Sequence, residues 1–492
     1  MKLSHLTDQA ADVVRSLGLY ATDVVTPTIR LGVTGLSRSG KTVFVTALVR
    51  NLIASGRLPF FDAQAEGRIE RVILEPQPDD YVPRFRYEDH LACLAADPPV
   101  WPEGTRRISQ LRLAIDYHAT RMMRRMVEPA IGHARLRLDI VDYPGEWLID
   151  LALLDQDYTS WSSAALTAVR LPHRNAFAAD FLSFLAGLDS SAMLDESLAR
   201  RGAELFTAFL RVCRDSEPAV TTLGPGRFLM PGDLEGSPLL TFFPIEAEAG
   251  RVPSGSLHEA MARRYESYRT HVVKPFFTTH FARIDRQIVL IDALAALNAG
   301  PQALADMSVA MTAVLKCFRP GANTLASRLF QRRVDKVLFA ATKADHLHHT
   351  SHDRLEALTR AMVGEAVARA EFAGAEVDSM AIAAIRSTRE GEARSGNGAL
   401  PCIIGTPLAG QRVGEVSFDG RSETALFPGD LPPDPKSLLN AGQAARIKSD
   451  DVRVLTFRPP RLVLEMATGH RPAPPHIRLD RAIQFLIGDK LT

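Results

Sequence analysis

Gly35-Leu-Ser-Arg-Ser-Gly-Lys-Thr42 is the stretch from which the rest of this chain is read. It fits G-x-x-x-x-G-K-[ST], a phosphate-binding loop, and its flanks supply the setting that such a loop needs. Upstream, Thr28–Thr34 predicts a short buried strand; downstream, Val43–Ile53 places apolar residues at helical spacing. Between strand and helix, Gly35 and Gly40 let the backbone curl so that successive N–H groups converge on an anion. The positive end of the helix adds to that field. Lys41 then reaches the β- and γ-phosphates of a nucleotide, and the Thr42 hydroxyl is placed to ligate Mg2+. Ser37, Arg38, Ser39 and Val43 complete the nucleotide-binding set expected here.

A second stretch points the same way. Arg135–Val141 alternates and then turns apolar, a strand heading into a core, and it ends in Asp142-Tyr-Pro-Gly-Glu-Trp147. In this D-x-x-G pattern Asp142 would hold a metal-bound water and the Gly145 N–H would meet the γ-phosphate. Arg286–Leu294 resumes the buried-strand pattern and brings a second carboxylate, Asp292, to a strand end; Asp142 is preferred as the metal ligand because a glycine accompanies it. Val337–Ala341 is a further buried strand and delivers Thr342-Lys-Ala-Asp345, which fits [NT]-K-x-D. A carboxylate at Asp345 can accept from N1–H and the 2-amino group of guanine, whereas adenine offers neither donor and leaves it desolvated and unpaired. The Lys343 stem would cover the base, and Ser387-Thr388, after another apolar strand, would complete the contacts.

The intervening segments are less regular. Pro59–Thr105 is dense in proline and is expected to be a long irregular loop, with Thr105 as the residue that senses Mg2+ and the γ-phosphate. Residues 150–285 break the α/β rhythm and predict a mostly helical insertion, in which Met261–Pro275 mixes bases and aromatics as a solvated face beside a packed one. His346, His348, His349 and His352 crowd one loop without a recognisable ligand spacing, so no metal other than Mg2+ is expected. The organisation expected is an N-terminal amphipathic helix in 1–27, a G domain in 28–149 and 286–400 interrupted by the insertion, a small β-rich subdomain in 401–460, and a C-terminal segment with a docking helix in 461–492. The fold class is α/β, a mostly parallel sheet flanked by helices.

Across 492 residues, 58 basic side chains balance 57 acidic ones, which argues against a nucleic-acid partner recognised by bulk charge. Four scattered cysteines (Cys93, Cys213, Cys317 and Cys402) form no C-x-x-C pair and suit a reducing compartment. No apolar run approaches the roughly 18 residues of a spanning helix, and the first ten residues lack the layout of a signal peptide. A cytoplasmic location is expected.

Taken with Trp101-Pro-Glu-Gly-Thr105, Phe427-Pro-Gly-Asp-Leu431 and His476-Ile-Arg-Leu-Asp-Arg481, these motifs make the chain resemble the YcjX-like family of bacterial P-loop GTPases over nearly its whole length. The resemblance implies an interrupted G domain, an extra subdomain and a link to envelope-stress operons. A protein partner at or near the inner membrane goes with it. The expected cofactors are GTP or GDP and Mg2+, and the expected activity is GTP hydrolysis coupled to switching. Glu146 stands where many small GTPases carry a water-orienting glutamine, which predicts slow intrinsic turnover or activation by a partner. Arg38 is a candidate arginine finger in cis. An ATPase of the same fold, a nucleotide-binding scaffold without turnover and a small-molecule kinase are the rival readings.

Overall fold

Seven strands form one sheet whose centre is β1 (Thr28–Gly35). The others are β2 (Ile69–Glu75), β3 (Ser109–Tyr117), β4 (Ala134–Asp142), β5 (Arg286–Ile291), β6 (Lys336–Ala341) and β7 (Glu376–Ala381). Their order is β2-β3-β4-β1-β5-β6-β7. The pairs from β4 through β7 are parallel, and β3 runs antiparallel to both β2 and β4. This computed structural model describes residues 26–36, 38–104, 107–119, 134–215, 224–246, 252–280, 283–315, 334–372, 374–395, 398–439, 454–462 and 473–492. Most of the expected N-terminal helix, and with it Ser37 and Thr105, lies outside those residues.

The central strands are apolar because both of their faces are covered. On β5, Ile288 and Leu290 face one core while Val289 and Ile291 face the other, the period of two that a pleated strand imposes. The first core is closed by α1 (Lys41–Ile53), through Phe44, Leu48 and Leu52, and by the C-terminal helix Leu479–Ile487, through Leu479, Ile483 and Leu486. Arg286, buried on β5, anchors that end of the chain by donating to Asp489 at 2.8 and 2.9 Å. The second core takes Leu355 and Leu358 from the helix His352–Met362.

The segment 59–105 departs from the irregular loop expected. It contains β2 and the helix Tyr87–Ala95, because Ile69–Glu75 pairs with β3 as an edge strand. An edge strand buries little of either face, so its apolar residues show weak periodicity amid the prolines.

Between β4 and β5 lies a helical body with its own aromatic core, built from Tyr158, Trp161, Phe206, Phe228, Phe242, Tyr265, Tyr268 and Phe276. Its principal helices are Tyr158–Val169, Glu196–Asp215 and Leu257–Tyr268. Met261, Tyr265 and Tyr268 are buried while Arg263 faces solvent, the packed and solvated faces of one helix. Beyond β7, β8 (Arg389–Ser395), β9 (Gly398–Gly405) and β12 (Thr424–Leu426) form a three-stranded antiparallel sheet; a short pair, β10 (Arg412–Val413) and β11 (Val416–Ser417), lies beside it in sequence.

The chain leaves β1 toward β2, β3 and β4 on one side, and places β5, β6 and β7 on the other. The carboxyl end of β1 is therefore the topological switch point, the crevice where open α/β sheets bind ligands.

Candidate functional site

The loop after β1 lies at that switch point. Gly40 adopts a left-handed conformation (φ 88°) and begins α1 with no side-chain cap, so the helix N-terminus faces the loop at the end of β1. Arg38 is also left-handed (φ 62°) and exposed. Lys41 folds back over the loop, its Nζ donating to the carbonyls of Gly35 at 2.8 Å and Leu36 at 3.1 Å. An ammonium carries three hydrogens, so these two bonds do not exhaust it. Burial pulls the Lys41 ammonium below the ordinary lysine range, and the Glu146 and Asp142 carboxylates act against that pull. Thr42 and Val43 follow on α1, with Thr42 buried. The buried Ser39 Oγ has no hydrogen-bond partner among the described residues.

Asp142 ends β4 opposite Val33 of β1, so its carboxylate comes to the same edge, almost fully buried. The turn after it is pressed onto the phosphate loop: a Cβ on Gly145 would lie 1.9 Å from the Gly35 carbonyl oxygen and 2.9 Å from the Leu36 Cα. Only glycine permits that approach. Glu146 follows, buried, and its carboxylate lies near enough to raise both Lys41 and Arg214.

Two strands along, β6 delivers Thr342, whose N–H donates to Ile291 O at 2.9 Å. Strand spacing sets this loop about 10 Å from the loop after β1. Lys343 takes a left-handed conformation (φ 60°), and its ammonium pairs with Asp292. Asp292 also caps the following helix through Ala295 N–H at 3.0 Å. Both oxygens of that second carboxylate are thus engaged on the β6 side, leaving Asp142 as the one beside Lys41. Asp345 is buried, and its Oδ2 accepts from Ser387 N–H at 2.7 Å and Ser387 Oγ–H at 2.6 Å. The Thr388 hydroxyl donates to the Asp345 carbonyl. The structure thus sets Gly35, Arg38, Ser39, Gly40, Lys41, Thr42, Val43, Asp142, Gly145 and Glu146 around the end of β1, and Thr342, Lys343, Asp345, Ser387 and Thr388 along the same sheet edge.

The profile of the YcjX-like family, DUF463, matches residues 29–491. The chain belongs to the YcjX-like family. It is 38% identical over 473 residues to the Ras-like GTPase YcjX of Escherichia coli (strain K12), covering 94% of this chain and 96% of that protein. It is 36% identical over 485 residues to the Ras-like GTPase YcjX of Shewanella oneidensis, covering 94% of each. Both relatives carry the name Ras-like GTPase.

In this YcjX-like chain the segment after Asp142 has a second attachment that sequence reading missed. Tyr143 and Trp147 are buried within the aromatic core of the insertion. The Trp147 Nε1–H donates to Met230 O at 2.9 Å, and the Arg227 guanidinium lies 3.2 Å over the indole ring. Asp150 accepts from the N–H groups of Gly226 (2.6 Å) and Arg227 (3.2 Å) and from the Tyr268 hydroxyl (2.6 Å). Burial pushes its carboxyl up to about 6, against those three donors. A Cβ on Gly226 would lie 1.9 Å from the Glu146 carbonyl oxygen. The sequence signal was present in Leu223-Gly-Pro-Gly226, which reads as a turn; its glycine is required by tertiary contact. Arg214, at the end of the long insertion helix, donates to Leu229 O at 3.3 Å, and the neighbouring Asp215 is held below the usual carboxylate range chiefly by Arg214, with Arg38 contributing. No helix among the described residues is long and apolar enough to cross a membrane.

Proposed function

We propose that this chain binds GTP with Mg2+ at the carboxyl edge of the sheet and hydrolyses it as a nucleotide-dependent switch. The observation that carries the reading is the sharing of one sheet edge by Lys41, Asp142 and Asp345. Lys41 and the N-terminus of α1 hold the β- and γ-phosphates. Asp345, oriented by Ser387, reads the guanine edge, and the Lys343 stem covers the ring.

The Thr42 hydroxyl and the Asp142 carboxylate form an all-oxygen donor set suited to a hard cation, and together with Thr105 they would hold Mg2+. When bound, that ion neutralises charge on the phosphates. Hydrolysis then depends on positioning and charge stabilisation. Glu146, beside Lys41, accepts a hydrogen bond from the attacking water; its negative charge against a polyanion makes intrinsic turnover slow and gives a partner something to correct. Arg38 supplies positive charge in cis by leaving the field of Asp215. Unchanged single-turnover hydrolysis in Arg38→Ala would remove it from this scheme.

The setting inferred from the family resemblance is the cytoplasm of a bacterium, at or near the inner membrane, under envelope stress. The test of the chemistry is phosphate release from GTP and from ATP under single-turnover conditions with Mg2+. Release from GTP well above that from ATP is expected. Equal release supports the ATPase reading, tight binding without release supports a scaffold, and transfer to an acceptor other than water supports a kinase.

A further inference from the structure

We propose that His348, His349 and Glu390 form a binding site for one divalent transition-metal ion of the zinc class. The sequence places four histidines within seven residues and does not say which are available. The structure sorts them. His352 points inward, its Nε2 within hydrogen-bond distance of the carbonyls of Ala344 (2.8 Å) and Leu347 (3.3 Å). His346 is buried edge-on against Phe457. His348 and His349 turn instead toward Glu390 on β8, with their rings 4.3 Å apart.

Three ligand atoms, one from each residue, lie within 4.8 Å of one another. His349 Nδ1 is 2.9 Å and His348 Nε2 4.0 Å from Glu390 Oε2. Ligands bound tetrahedrally at zinc distances lie about 3.3 Å apart, so changes of up to about 1.5 Å in separation close the set. Two outer contacts hold it in that posture. His348 Nδ1 lies 3.1 Å from Thr350 Oγ1, and donation to that hydroxyl leaves the Nε2 lone pair facing the cluster. The Glu390 carboxylate is fixed through Oε1 by the His349 N–H at 3.1 Å. His349 is largely exposed, so a fourth position is open to water. Two imidazoles and a carboxylate are the donors of a zinc-class ion rather than of Mg2+, so this site departs from the expectation that Mg2+ is the only metal.

The cluster joins the loop carrying Asp345 to the strand that begins after Ser387 and Thr388. A bound ion fastens the two base-reading loops together, a role that rests on the function proposed above, whereas metal binding itself does not.

The test is titration of Co2+ and then Zn2+ into the full-length chain, prepared without a histidine tag and stripped with a chelator. The expected result is one equivalent of Co2+ with the absorption of a four-coordinate site, displaced by Zn2+, and an affinity about tenfold or more weaker in His348→Gln and in Glu390→Gln. Neither side chain belongs to a hydrophobic core, and circular dichroism checks that the variants fold. No stoichiometric Co2+ or Zn2+ binding, or binding unchanged in both variants, overturns the proposal whatever the outcome for GTP. If the metal binds but leaves guanine nucleotide affinity unaltered, the site stands and its fastening role falls.

Discussion

At the end of the edge proposed to read the base, Asp345 is held by Ser387 and Thr388, and Lys343 by Asp292, all within loops that leave neighbouring strands of one sheet. At the phosphate end, the segment from Tyr143 to Asp150 is shared between two bodies. Its glycine presses on the phosphate loop, and its aromatic and acidic side chains are built into the insertion. The difference has a mechanical consequence. If a nucleotide bound along this edge changes its phosphate count, the loops at Asp345 and Lys343 can stay in place, but a shift of Gly145 or Glu146 must be shared with Gly226, Arg227 and Tyr268. Under the proposed function, the helical insertion is thus attached where a γ-phosphate would be gained or lost.

The largest effect expected is at Lys41, which faces both carboxylates of the phosphate end. Lys41→Ala should lower the single-turnover rate of GTP hydrolysis by about a thousandfold, the range found when an electrostatic stabiliser of a transition state is removed. A change below about tenfold would break the comparison at its root.

A pH titration of stability isolates the insertion's hold on the same segment. Asp150 is raised from 3.8 to about 6, so the folded state favours its protonated form. That contribution is complete below about pH 4 and is lost as pH rises through about 6. Between those limits the wild type should lose on the order of 3 kcal/mol relative to Asp150→Asn, which does not titrate. Urea denaturation followed by tryptophan fluorescence at several pH values measures it. Parallel curves for the two proteins would contradict the burial of this carboxyl.

Gly226→Ala sharpens the contrast between the two ends. Its methyl group meets the Glu146 backbone, so the segment must yield, at a cost of about 2–3 kcal/mol. Hydrolysis should fall about tenfold while GDP affinity stays within about twofold, since a small misplacement damages the reacting geometry more than binding. Loss of GDP binding in a folded variant would mean that the two ends are not separable.

The smallest effect is at Ser387. Ser387→Ala removes one of the two bonds to the Asp345 carboxylate and keeps the backbone N–H, so guanine nucleotide affinity should weaken by about 1 kcal/mol, roughly fivefold. Calorimetry reads it directly.

What the sequence disclosed follows the same division. The loop after β1, Asp142–Gly145 and Thr342–Asp345 were legible because each is a short local pattern following an apolar strand, and the strands align them. The attachment of Trp147 and Asp150 to the insertion was not, since their partners lie about 75 to 120 residues away and no local spacing encodes such contacts. β2 was hidden by its edge position, and the histidines could not be sorted until their neighbours were known. Asp292 offered a strand-end carboxylate like Asp142; only the Lys343 pairing shows where it is used.

The central claim is that one guanine nucleotide lies between Lys41 and Asp345, and calorimetric titration of GDP, XDP and ADP into the wild type and Asp345→Asn tests it most directly. An asparagine amide can donate to the 2-oxo group of xanthine, which a carboxylate repels. The account predicts that the wild type binds GDP at least about a hundredfold more tightly than ADP, and that the variant transfers its preference to XDP. Equal affinity of the wild type for GDP and ADP, or a folded variant that keeps GDP and gains nothing for XDP, would contradict it.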